Sequence, residues 1–180
     1  GDVVPAADQV EACAAQLSGV SGAAYNGVNT VLSGRVEDLE RAVATFADPG
    51  IRSEWLDTSH AFHSALLDPV LDEFKSFASR FDYRSPELTL ICNRTGDVLT
   101  ARTPVDALYW RRHARQPVQF AKSVRTVAAL GSSVLVEIGP QPVLTGAAVQ
   151  VWPAHLAAPR AIVSLRKGGG DRPQLAGQPA

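Results

Sequence analysis

Apolar residues recur at Val10, Cys13, Ala14 and Leu17, the i, i+3, i+4, i+7 spacing of one helical face, which predicts an amphipathic helix over 5–19 between Pro5 and Gly19. Two short runs, "AAYNG" and "NTVLSG", meet around Asn26-Gly27. Both turn residues tolerate positive φ, so the pattern predicts an antiparallel hairpin. Helical spacing returns at 35–50 with Val36, Leu39, Val43 and Phe46 on one face, ends at Asp48-Pro49-Gly50, and gives way to the alternating "IRSEWLD" of a further strand. With "DVV" at 2–4 also read as a strand, residues 1–57 spell βαββαβ, a ferredoxin-like split unit.

From Ser59 the pattern changes. "HSALLDPVLDEFKSFASRF" predicts a helix burying Leu67, Val70, Leu71, Phe74 and Phe77, with Pro69 in the early part where proline costs least. "ELTLICNRTG" reads as a buried strand entering a turn, and "PVDALYWRRHARQ" and "VQFAKSVRTVAALG" as helices separated at Pro117. "SSVLVEIGP" is nearly continuously apolar, as strands covered on both faces are. "QPVLTGAAVQV" predicts a short helix, and "GGGDRPQLAGQPA" a linker, so the folded part is expected to end near Leu165. The fold class predicted is α/β.

Composition narrows the function classes. Of 180 residues, 46% are hydrophobic and 19% charged, ordinary globular values that argue against disorder throughout. A net charge of -1 carries no basic excess for a phosphate surface, which excludes nucleic acid as an expected partner. No apolar run reaches the ~18 residues of a membrane span, and no export signal opens the chain. Cys13 and Cys92 are isolated and read as small buried residues of a reducing cytosol, so a cytoplasmic protein without a membrane partner is expected. The absence of methionine and the start at Gly1 agree with a piece of a longer polypeptide.

The candidate chemistry lies in "SHAFHSALLDP", residues 59–69, where His60 and His63 stand three apart with Ser64 directly after. A metal site would use the pair as two ligands, but no glutamate lies between them, and His113 and His155 lack the partners to complete a set. A plain helix start, with Ser59 or Ser64 as N-cap, explains the spacing alone best. A catalytic base is the third reading, since an imidazole exchanges protons near neutrality. Ser64 is a poor nucleophile for it, because adjacent helical residues point about 100° apart.

Beyond spacing, "SHAFHSALLDP" resembles the catalytic-histidine segment "SHAFHSPLMDP" of polyketide synthase acyltransferase domains, malonyl-CoA:acyl carrier protein transacylase-like. Four further blocks are similar in order: "NGVNTVLSG"; "CNRTG" with "SNVTG"; "YWRRHARQPVQFAKSVRTVAALG" with "YWVRHVRRPVRF"; and "EIGPQPVLT" with "ELGPDGVLT". The resemblance covers about residues 23–147 and only the C-terminal part of such a domain. It implies a ferredoxin-like subdomain at 1–57, the last part of an α/β-hydrolase-like acyltransferase subdomain at 58–150, and a linker at 151–180.

The implied activity is transfer of a malonyl-type unit from coenzyme A, through an acyl-serine, to the phosphopantetheine thiol of an acyl carrier protein. His63 falls on the general base, His113 on a backbone carbonyl that orients it, and His60 with Phe62 on malonyl selection, the ring filling the volume of an α-methyl group. No bound cofactor or metal is implied; malonyl-CoA is the substrate, and phosphopantetheine arrives on the partner. The implied partners are the carrier protein and, in a parent chain, the N-terminal part of the domain and a neighbouring ketosynthase domain. No glycine-x-serine-x-glycine elbow occurs among the 180 residues, "GVSGA" lacking its last glycine, so the attacking serine is expected outside this chain. Ala65, Leu67, Gln116 and Gln141 replace proline, methionine, arginine and aspartate of the resembled blocks. The alternative reading is a non-catalytic remnant that docks an acyltransferase or carrier protein.

Overall fold

The hairpin forms where Asn-Gly signals it. Strand β1 (Val20–Tyr25) pairs antiparallel with β2 (Thr30–Gly34), Val20 facing Gly34 and Tyr25 facing Thr30. The Asn26 N–H donates to the Asn29 carbonyl at 3.0 Å, and Gly27 takes φ 87°, a conformation that a Cβ would oppose. The computed structural model describes Val10, Leu17 and residues 19–45, 52–58, 60–100 and 102–165. The expected strand at 2–4 and, save Val10, Leu17 and Gly19, the expected helix at 5–19 lie outside these residues. By packing the chain divides into two compact units, Gly1–Ser123 and Val124–Ala180.

In the first unit, α1 (Val36–Thr45) packs on the hairpin through Ala42, fully buried, with Leu39 and Val43 partly covered. Val36 faces solvent instead, and Phe46 is outside the described residues. The expected strand over "IRSEWLD" does not form: residues 52–58 pair with no strand and are exposed along their length, so they present no buried face to a sheet. The βαββαβ reading therefore keeps its hairpin and α1 but not its last strand.

A short 3-10 turn (Ala65–Leu67) leads into α2 (Asp68–Ala78), with Pro69 in the first turn where its missing N–H costs no helical bond. Leu71 and Ala78 are buried, whereas Val70, Phe74 and Phe77 are exposed, correcting the wide apolar face that the spacing predicts. α2 packs on α3 (Ala107–Arg115), and Arg115–Asp68 at 2.7 Å and Arg111–Asp72 at 3.0 Å join the two helices. "ELTLICNRTG" supplies only a two-residue strand, β3 (Ile91–Cys92), paired with β4 (Asp97–Val98) across a tight turn in which Gly96 takes φ 74°. Cys92 is buried there, but Leu88 and Leu90 are exposed. α3 opens on Asp106, whose carboxylate accepts the Tyr109 N–H at 2.7 Å, and closes at Gln116 before Pro117. Val118 then bridges in parallel to Ala24 of β1.

The division between the units falls within α4 (Phe120–Ala129). In the second unit, β5 (Val134–Glu137) pairs in parallel with β6 (Arg160–Val163). β6 lies inside residues 151–180, assigned above to a linker, so the packed chain runs at least to Val163. Leu135 and Glu137 are partly covered, while Val136 and Ile138 are 61% and 88% exposed, against the expectation of cover on both faces. The Glu137 carboxylate crowns α5 (Leu144–Gln150), accepting the N–H groups of Val143 and Leu144 at 2.9 Å and of Thr145 at 2.8 Å, and the Thr145 hydroxyl at 2.8 Å. Burial alone would raise this carboxyl, but those donors outweigh it and hold its pKa down at about 2. The "EIGPQPVLT" block is thus a strand end capping the next helix. Among the described residues no helix is long and apolar enough to cross a membrane.

Candidate active site

Proline at 117 sets the geometry. A residue before proline is pushed out of the helical region, and Gln116 accordingly leaves α3 at φ -87°, ψ 154°. Its carbonyl turns away from the helix axis and meets His63 Nδ1 at 2.7 Å. A carbonyl only accepts, so Nδ1 carries the proton and, in the neutral ring, Nε2 presents its lone pair. The His63 N–H donates to the Ala114 carbonyl at 3.2 Å, using one of the unpaired acceptors that end a helix. The base candidate is thus fastened by backbone and ring to the same helix end.

That fastening holds His63 at φ 57°, left-handed backbone that a bulky L residue adopts at a cost of about 1–2 kcal/mol. The flanking residues make the turn rigid. Phe62 donates its N–H to the His60 carbonyl at 3.0 Å, and the Ser64 hydroxyl donates to the Ala61 carbonyl at 2.7 Å while accepting the Leu66 N–H at 3.2 Å. Ser64 is fully buried, so its hydroxyl is a cap and not a nucleophile. His60 and Phe62 lie on the outer side of this turn, ring centroids 5.8 Å apart, with Phe62 57% exposed.

The resemblance implied His113 as the source of the orienting carbonyl, and the hydrogen bonds correct that: the acceptor at His63 Nδ1 belongs to Gln116, three residues on. Those three residues separate the last turn of α3 from the extended residue that proline imposes. His113 contributes its side chain instead. Its ring lies edge-on to His63 at 6.1 Å and its Nε2 is 2.7 Å from Asn93 Oδ1. Burial, followed by the nearby His63 and Arg94, lowers the His113 pKa, so this second imidazole stays neutral near pH 7. Asn93, Arg94 and Gln116 were missed as site residues; the pointers available were Gln116 before Pro117 and the turn-forming "CNRTG". Among the described residues no group of three or more histidine, cysteine, aspartate or glutamate side chains could hold a metal ion.

Residues 2–176 match the family model described as an acyl transferase domain. The chain is 36% identical over 176 residues to the phenolphthiocerol synthesis polyketide synthase type I Pks15/1 of Mycobacterium marinum, covering 97% of this chain but 8% of that protein. The acyltransferase domain from the second module of the salinomycin polyketide synthase superimposes with a TM-score of 0.84 at 35% identity, over 96% of this chain and 40% of that one. The malonyl-CoA:acyl carrier protein transacylase (FabD) of Xanthomonas oryzae shares the fold alone, with a TM-score of 0.82 at 19% identity over 98% of this chain and 55% of its own.

Proposed function

The chain belongs to the acyl transferase domain family, and from that premise we propose that it supplies the general base and part of the acyl pocket of a malonyl-type acyltransferase in a polyketide synthase. The attacking serine comes from outside these residues. The observation that carries this reading is the His63 imidazole, with Nδ1 committed to the Gln116 carbonyl and Nε2 left basic.

In the first half-reaction the serine hydroxyl gives its proton to Nε2 while its oxygen bonds to the malonyl thioester carbon. Collapse of the tetrahedral intermediate breaks the carbon–sulfur bond, and the imidazolium protonates the departing coenzyme A thiolate. In the second half, the phosphopantetheine thiol of an acyl carrier protein gives its proton to the same nitrogen. Its sulfur bonds to the acyl carbon, and the serine oxygen leaves and recovers the proton. The Gln116 carbonyl serves both halves, because the Nδ1–H that it accepts stabilises the imidazolium and fixes the tautomer without an aspartate. Phe62 and His60 narrow the acyl pocket: overlap of an α-methyl group with a ring is costly, whereas a missing methyl changes binding by only about 1–3 kcal/mol. The carrier protein, the N-terminal part of the acyltransferase domain and a neighbouring ketosynthase domain are the partners, and the setting is cytoplasmic.

The test uses the intact acyltransferase with its serine present. His63→Ala is expected to abolish transfer from malonyl-CoA to carrier protein, and His60→Ala to retain most of it. Retained activity in His63→Ala would overturn the assignment of the base and favour a docking role.

A further inference from the structure

We infer that Arg94 is a positioning residue for the His63 base and acts through the Gln116 side chain; the inference rests on the reading that His63 is that base. Arg94 sits in the β3–β4 turn, which is closed by the N–H groups of Thr95 and Gly96 on the Cys92 carbonyl at 3.1 and 2.6 Å. Its Nη1 donates to Gln116 Oε1 at 2.9 Å, and the backbone carbonyl of the same Gln116 receives His63 Nδ1–H. Asn93 grips the other side of Pro117, its carbonyl accepting the Gln119 N–H at 2.5 Å. The turn therefore holds residues 116 and 119 from one rigid base, and the peptide that points at the imidazole has its rotation limited at both ends.

Stability does not explain an arginine here. Its Nε is buried and makes no hydrogen bond among the described residues, a destabilising condition that an aliphatic side chain would avoid. The Gln116 side chain is otherwise exposed and, without Arg94, would rotate freely. Both partners also differ together from the resembled blocks, "SNVTG" and "YWVRHVRRPVRF", which carry valine and arginine at these two positions. The Arg94 charge also helps to keep His113 neutral beside the base.

In the intact acyltransferase, Arg94→Leu and Gln116→Ala are each expected to lower kcat for malonyl transfer about tenfold, with KM for malonyl-CoA moving less than about twofold, because a slightly misaimed base weakens chemistry more than binding. The double variant should be no slower than the slower single, the signature of two residues acting as one unit. The urea midpoint of Arg94→Leu should not fall below that of the parent. Parent-level kcat in Arg94→Leu, or losses that multiply in the double variant, would overturn the inference while His63→Ala remains inactive. An active His63→Ala would instead remove the base assignment beneath it. Should Arg94→Leu fail to fold, Gln116→Ala alone decides, because its exposed side chain is dispensable for packing; an unchanged kcat there refutes the coupling.

Discussion

Replacing His63 by glycine should leave a more stable protein than replacing it by alanine, while neither variant should transfer malonyl. His63 is the one non-glycine residue at positive φ among the described residues. Both substitutions delete the imidazole and its bond to Gln116, and both keep the residue-63 N–H that reaches Ala114, so the pair isolates the backbone. Alanine in left-handed backbone costs about 1–2 kcal/mol and glycine nothing comparable, while glycine concedes about 0.4–1 kcal/mol through its freer unfolded chain. His63→Gly should therefore exceed His63→Ala by about 0.5–1 kcal/mol, the reverse of the order at an ordinary loop position. Urea unfolding of the two variants in the intact domain, with malonyl transfer assayed alongside, measures it. If alanine is equally or more stable, residue 63 is not held in left-handed backbone by the surrounding fold. The strain would then not be part of how the base is aimed.

Three further outcomes follow from the same contacts. Ser64→Ala should lower stability by about 1–3 kcal/mol through the loss of a buried, doubly hydrogen-bonded hydroxyl; mass spectrometry of malonylated parent enzyme should find no acyl group on Ser64, and an acylated Ser64 would contradict its role as a cap. Because the Glu137 carboxyl is held at about 2, below its ordinary 4.5, its contribution is complete above the ordinary value and lost as pH falls from there toward 2. Glu137→Gln should cost about 1 kcal/mol near pH 7, solvent screening the charge, and progressively less at acid pH, and unfolding curves that stay parallel from pH 7 to the acid limit would refute the cap. Phe62→Ser combined with His60→Tyr should raise methylmalonyl use relative to malonyl in a competition assay; an unchanged ratio counts against the steric account.

Local rules were enough for the elements that depend on neighbours in the chain. Asn26-Gly27 specified its hairpin, Pro117 separated α3 from α4, and the five motif blocks in order identified the family whose model the chain matches. The same rules overreached where burial depends on what lies opposite. Periodicity marks Val70, Phe74 and Phe77 as apolar, but their exposure is decided by which surfaces the described chain brings to them. β4 and β6 were missed for a related reason: strands of two and four residues carry too little pattern, and pairing with β3 and β5 creates them.

The site divides along the same line. Sequence alone singled out His63, through the motif around it, and discounted Ser64 as nucleophile. It could not identify Gln116, since a backbone carbonyl has no residue-type signature and its direction follows from the pre-proline conformation and the packing of α3 beside the His63 turn. Nor could it identify Arg94, 22 residues from Gln116 in the chain and in hydrogen-bond contact with it in the fold. Residue chemistry says which group can take a proton; only tertiary structure decides which of its two nitrogens is free to do so.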